Sequence, residues 1–254
     1  MTPEEADKWL RELGLFYING VDEHYKRGVR LIGEKKMSFL AEHLDGEHED
    51  SESYLSEKCG EDPYFSLIQS QKYTIFKEEL LWLDKTLPEN ALVLDLGCST
   101  GHMTALCAKM RPCSKFVGID RIPSVIKKAI SIKEKLGMTN LSFEQYDFTS
   151  IGTTTKPDGI ISLQALGPFL YNHASISYLS NFVDLQAFII LVEAFEDLDG
   201  LKDILKTFNS HGFSLINFDK IHCGKSRKVK TMPGILLARG FETTAKIDIE
   251  TIRL

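Results

Sequence analysis

The chain has 254 residues, 43% of them hydrophobic and 26% charged, with a formal net charge of -6 at pH 7. That is ordinary globular usage, long enough for one large α/β domain and an appendage, and the negative balance argues against a whole-surface nucleic-acid footprint built on clustered lysine and arginine. No apolar run approaches the ~20 residues that span a bilayer, the start Thr2-Pro3-Glu4-Glu5 is unlike a signal sequence, and five cysteines without Cys-x-x-Cys pairing fit reduced thiols, so a cytoplasmic protein with no membrane partner is expected.

Thr2, with Pro3 behind it and Glu5 completing a capping box, opens a helix that carries Trp9, Leu10 and Leu13 on one face. Val21, Tyr25, Val29 and Ile32 recur at helical spacing, and Phe39, Leu40 and Leu44 continue an apolar face after Gly33. Residues 45–62 are densely acidic and poor in apolar residues, which predicts a loop or linker, with a boundary near Pro63. From Tyr64 to Leu83 an amphipathic helix is predicted, with Gln71, Lys72 and Tyr73 as candidate ligand contacts beside their blander readings as core or solvated residues.

The next stretch is the most informative. An apolar strand, Ala91 to Leu96, runs into a turn of small residues, Gly97-Cys-Ser-Thr-Gly101, ahead of a helix from His102 to Met110. Strands Lys115 to Ile119 and Leu141 to Gln145 follow, ending close to Asp120 and Asp147, with a helix from Ser124 to Leu136 between them. In a doubly wound sheet the C-terminal strand ends share one edge, so the glycine turn and the two aspartates would converge on one crevice, where a carboxylate can take both hydroxyls of a ribose. A nicotinamide-dinucleotide site expects Gly-x-Gly-x-x-Gly, and here Gly97, Ser99 and His102 hold those positions. As ordinary structure, Asp120 would cap a helix and Asp147 a turn. The alternation continues through strand Gly159 to Leu163, a helix around Ser175 to Phe182, strand Phe188 to Val192, helix Leu198 to Phe208, and strands Ser214 to Ile221 and Gly234 to Arg239.

Over roughly Tyr64 to Arg239 the chain resembles the class I S-adenosylmethionine-dependent methyltransferases: Asp95, Gly97 and Gly101 match the family's first motif, with Ser99 in place of its middle glycine. The resemblance implies a doubly wound, mostly parallel, seven-stranded Rossmann-like sheet whose last two strands are antiparallel, organised as residues 1–62, a helical extension or lid with an acidic linker, and 63–254, the methyltransferase domain. It implies S-adenosylmethionine as cofactor, S-adenosylhomocysteine as product, and a cofactor site of Asp95, Gly97, Cys98, Ser99, Gly101, Asp120, Arg121, Asp147, Phe148 and Gln164.

The family's sulfonium already activates the methyl group, so few catalytic side chains are expected. His173 and His222 are the candidates for a general base toward an oxygen acceptor, and Phe169 and Tyr171 for an aromatic wall. The Asn/Asp-Pro-Pro-Tyr motif of amino-methylating enzymes is absent from Gln164 to Tyr171, and the Lys-Asp-Lys-Glu tetrad of ribose methylases finds only Lys72, with Gln164 and Val192 or Glu193 at other positions. Metal ligation is weakly supported: Glu193, Glu196 and Asp197 lack a carboxylate partner after the fourth strand, and His43, Asp45, His48 and Asp50 sit in the acidic segment. Lys225, Arg227, Lys228 and Lys230 read as a solvated hairpin loop with an anion-steering alternative. The expected function is O- or N-methylation of a small-molecule acceptor, with the N-terminal helices as lid or homodimer contact. The alternatives are an RNA or protein methyltransferase and a non-catalytic cofactor-binding scaffold.

Overall fold

The computed structural model describes residues 1–16, 21–44, 50–61, 63–147, 156–193, 195, 197–222, 231–241 and 246–253. Five parallel strands, β1 (Leu92–Leu96), β2 (Lys115–Asp120), β3 (Leu141–Gln145), β4 (Gly159–Leu163) and β5 (Ala187–Val192), and the late strands β6 (Ser214–His222) and β7 (Thr231–Arg239) form one seven-stranded sheet of order β3-β2-β1-β4-β5-β7-β6. The chain lays β1 to β3 toward one edge and returns to place β4 on the other side of β1, so the topological switch lies between β1 and β4. Only β7 runs against the rest: it pairs antiparallel with both β5 and β6. The expected antiparallel pair is therefore a pair to each other, while β6 points the same way as β1.

The strands read as unbroken apolar runs because both faces of the sheet are covered. In β5, Phe188, Ile190 and Val192 enter one core and Ile189 and Leu191 the other. The first core is roofed by α1 (Pro3–Glu12), α5 (Tyr64–Thr86), α6 (His102–Met110) and α7 (Pro123–Leu136). The second lies under α8 (Gly167–Leu170), α9 (His173–Phe182) and α10 (Leu198–Ser210). A smaller cluster joins α2 (Val21–Ile32), α3 (Glu34–Leu44) and α4 (Ser51–Lys58) to Leu67 and Ile68 of α5 and Val125 of α7.

The helix α4 corrects the linker expectation for residues 51–58. Its few apolar residues suffice because each is used: the Tyr54 ring meets Phe39 edge-on at 5.3 Å and His43 at 4.0 Å, and Cys59 just beyond it is buried. The capping box of α1 is present as expected, with Thr2 Oγ1 accepting from the Glu5 N–H at 3.2 Å and Glu5 Oε2 accepting from the Thr2 N–H at 2.7 Å.

α1 docks into the sheet's own core. Ala6 and Leu10 share a buried cluster with Val93, Ala105 and Phe188, and the Tyr73 hydroxyl of α5 donates to Asp7 Oδ1 at 2.7 Å. Tyr73 is thereby a core residue rather than a ligand contact. Leu10→Ala should cost about 2–5 kcal/mol of global stability, and urea unfolding followed by far-ultraviolet circular dichroism and tryptophan fluorescence should stay a single coincident transition. Two separated transitions would show that the N-terminal helices fold apart from the sheet.

Candidate functional site

The turn between β1 and α6 needs a backbone that most residues avoid. Gly97, Ser99 and Gly101 all take left-handed φ, at 75°, 50° and 74°. Two of the three also have no room for a side chain. A Cβ on Gly97 would stand 2.2 Å from the Cβ of Ala165, and one on Gly101 2.3 Å from the Phe143 ring. Ser99 bears the strain that the family's middle glycine avoids, on the order of 1–2 kcal/mol, and is held from both ends. Its N–H donates to Asp120 Oδ2 at 3.0 Å and its Oγ accepts from Gln69 Nε2 of α5 at 3.1 Å.

Asp120, at the end of β2, also accepts the Ile122 N–H through Oδ1 at 2.9 Å, so its carboxylate closes the turn and starts α7. Each of its oxygens keeps a second acceptor direction. Arg121 follows it on the surface, with its carbonyl accepting from Gln145 Nε2 at 3.4 Å. Asp147 is exposed just past β3. The glycine turn and both aspartates thus gather on one sheet edge, while Phe148 lies outside the described residues.

Asp95, in β1, is 3% exposed and accepts from Thr104 Oγ1 of α6 at 2.5 Å. Burial raises its carboxyl to about 6, against the pull of the Thr104 hydrogen bond and the Lys72 charge. Burial likewise pushes the Cys98 and Cys107 thiols well above their usual range, which leaves Cys98 a space-filling residue without nucleophilic character. His102 is wholly buried, accepts or donates at Nδ1 with Thr100 Oγ1 at 3.0 Å, and stacks on Phe65 at 5.6 Å. Burial, then the Lys128 cation, lower its pKa to about 3, so it is a neutral packing residue at physiological pH.

Across the switch point, Glu193 is the residue that the motif reading passed over as a site residue. It is 2% exposed, directly after β5, and its Oε1 accepts from Ser162 Oγ (2.7 Å), Ala165 N (3.0 Å) and Leu166 N (3.0 Å). Those bonds fix the segment that carries Gln164, itself at φ 60° and donating its N–H to the Val192 carbonyl at 2.8 Å. Its one sequence signal is a carboxylate placed immediately after six buried apolar residues.

Neither histidine is among the described residues that line the cavity at the β1 turn. His173 is exposed at the start of α9, with its Nε2 2.6 Å from Asp203 Oδ2 of α10, a contact between two exposed side chains. His222 ends β6 three strands from β4, roughly 14 Å at normal strand spacing, and its side chain is outside the described residues. Tyr171 is exposed, and Phe169 packs on the second core. Asp45, His48, Glu196 and the basic residues 225–230 also fall outside the described residues. His43 bonds the Phe39 carbonyl through Nδ1 at 2.8 Å and faces Asp50 at 3.5 Å. Among the described residues no group of three His, Cys, Asp or Glu side chains is placed to hold a metal ion, and no helix is long and apolar enough to cross a membrane.

A methyltransferase-domain family model matches residues 87–198, the span from the residue before Pro88 through β5 to the start of α10. Those residues are a methyltransferase domain, in keeping with the class I S-adenosylmethionine-dependent family that the motifs resemble. Among curated proteins it is 37% identical over 79 residues to mouse EEF1A lysine methyltransferase 2, and 30% identical over 86 residues to trans-aconitate 2-methyltransferase of Methylobacterium nodulans. These matches take in 31% and 34% of this chain and 31% of each relative, so the chain spans about a third of the length of the curated relatives it matches. Magnesium protoporphyrin IX methyltransferase of Synechocystis, solved with S-adenosylmethionine bound, superposes with a TM-score of 0.55 at 19% identity, covering 79% of this chain and 97% of that one. That likeness establishes the fold.

Asp95 supplies a test of this geometry. Its folded pKa lies above the unfolded value, so the folded state gains from its proton below about pH 4 and loses that gain as pH rises through about 6, by roughly 3 kcal/mol in all. Asp95→Asn keeps an acceptor for Thr104 and should flatten this slope. Urea midpoints at pH 4.5 and 7 should converge on the wild type at the lower pH and exceed it at the higher, and a parallel offset at both values would contradict the assignment.

Proposed function

We propose that this protein transfers the methyl group of S-adenosylmethionine to an oxygen or nitrogen atom of a small-molecule acceptor and releases S-adenosylhomocysteine. The observation that carries the reading is the shared edge, where the β1 turn, Asp120 after β2 and Asp147 after β3 meet, in a chain with this domain. In this reading Asp120 takes the ribose hydroxyls on the free lone pairs of its carboxylate, and Asp147 borders the adenine. Arg121 lies beside that end. Gly97, Cys98, Ser99 and Gly101 provide the bare backbone that the ligand crosses, and Asp95 and Gln164 face its amino-acid end.

The turn fits such a ligand because its cradle is one that a Cβ would fill at Gly97 and Gly101. When bound, the cofactor supplies an activated methyl group, and the chain's own part is alignment and water exclusion. α5 covers the crevice: Gln69 and Lys72 close it down to about 10 Å3, against the several hundred Å3 that a ligand of this size fills. Entry therefore displaces the Gln69 to Ser99 hydrogen bond, and the helices α1 to α4, packed with α5, act as the body of that lid. A closed crevice under α5 supports a small acceptor over an extended polymer; the lysine methyltransferase relative keeps a protein acceptor as the second reading.

Titration calorimetry should give micromolar binding of S-adenosylmethionine and S-adenosylhomocysteine and none of NAD. Absence of binding by the first two overturns the cofactor reading. In a turnover screen that offers metabolites and protein lysines side by side, methylation confined to proteins overturns the acceptor reading.

A further inference from the structure

Between residues 26 and 36 the chain sets Lys26, Arg27, Arg30, Lys35 and Lys36 against one acid, Glu34, although its net charge is -6. The fold draws them to one corner. Gly33, at φ 85°, is the only residue between α2 and α3: its N–H donates to the Val29 carbonyl and its own carbonyl accepts from the Met37 N–H, each at 2.9 Å, so one helix passes into the next without a loop. The inner faces are spent on the small core, through Tyr25, Val29 and Ile32 of α2 and Met37 and Leu40 of α3. All five cations are exposed. Arg27 lies over the Phe16 ring at 3.4 Å, and none of the other four is in an ion pair among the described residues.

Two large apolar side chains stand out of the same two helices. Leu31 is 46% exposed and belongs to none of the three core clusters, and Phe39 is 47% exposed, with part of its ring packed on His43 and Tyr54. Helical spacing sets cations beside each: Arg27 is four residues before Leu31, and Lys35 and Lys36 are four and three before Phe39. The fold itself does not ask for the charges at 35 and 36, which fill the first turn of α3, the end at which a helix dipole disfavours cations. Exposed apolar residues flanked by cations are complementary to anionic headgroups over acyl chains, which take the charges at headgroup level and the apolar side chains just beneath. A nucleic-acid strand would take the cations and leave Leu31 in water. We propose that the corner between α2 and α3 is a docking surface for an anionic membrane, to which the protein binds peripherally. The apolar run length on which the expectation of no membrane partner rests concerns spanning helices, and this contact needs none. The inference stands apart from the methyl-transfer reading.

The test is co-sedimentation of the full chain with vesicles of phosphatidylcholine, alone or with about one part in three of phosphatidylglycerol. The wild type should pellet with the anionic vesicles and stay in solution with the neutral ones, and ~0.5 M salt should release it. Lys35→Gln combined with Lys36→Gln removes two cations from a helix start that gains by their loss, so the fold is kept and partitioning should fall about tenfold or more. Leu31→Ser should lower it about threefold or more at unchanged charge. Equal pelleting with both vesicles, no pelleting, or binding that survives both variants overturns the proposal. So does binding of a single-stranded RNA homopolymer in place of the vesicles, which would assign the corner to nucleic acid. S-adenosylmethionine titrated into the same variants should bind as it does to the wild type, so failure of the membrane contact and failure of the cofactor reading are told apart.

Discussion

The Asp120 carboxylate bound to the Ser99 N–H is the contact on which the rest of the site depends. It ties the end of β2 to a turn that runs through three left-handed residues in five, a path with few conformations to fall back on if the tie is lost. That turn lets the backbone pass against Ala165 on one side and the Phe143 ring on the other, so the C-terminal ends of β1, β3 and β4 are drawn into one crevice. A non-glycine residue at its centre is tolerable because both the backbone and the hydroxyl of Ser99 are occupied, the latter by Gln69.

Charge in the crevice is organised by burial. Asp95 and Glu193 are both nearly inaccessible, and burial raises both carboxyls while hydrogen bonds and the Lys72 cation oppose that rise. Their roles divide by geometry. Asp95 has one described donor, Thr104, and borders the cavity. Glu193 spends one oxygen on three donors and so holds the β4-to-α8 connection, including the strained Gln164, against the end of β5. A buried carboxylate with that many partners is more costly to remove than to keep, because its loss strands two backbone N–H groups.

The N-terminal helices reach the site through α5. Leu10 seats α1 in the same core as the strands, Ser70 Oγ accepts the Phe16 N–H at 3.1 Å, and Ser66 Oγ donates to the Gly14 carbonyl at 2.5 Å, so the segment before α2 is stitched to the helix that roofs the glycine turn. α5 is thereby packed together with α1 and with the small core under α2, α3 and α4.

Much of this was legible along the chain. The boundaries of β2, β3, β4 and α6 follow from apolar runs cut by glycine and polar residues, since strand and helix periodicities are local properties, and the turn from Gly97 to Gly101 with Asp120 and Asp147 after two successive strands points to one shared sheet edge. Local signals also marked the cap of α1. They misjudged residues 51–58, because whether a sparse set of apolar residues such as Tyr54 and Cys59 suffices for a helix depends on what they meet, here Phe39, His43 and α5. They gave no sign of the contact between His173 and Asp203, and offered no reason to join Glu193 to Ala165 or Lys72 to Asp95. Those pairings are separated by more than twenty residues and arise only when the sheet aligns its strand ends and α5 crosses them. The sequence by itself determined the strands of the sheet and the bare turn, through periodicity and the φ preferences of glycine; the tertiary structure alone decided that residues 51–58 are helical and which charges face one another, because packing, burial and distance exist only in the folded chain.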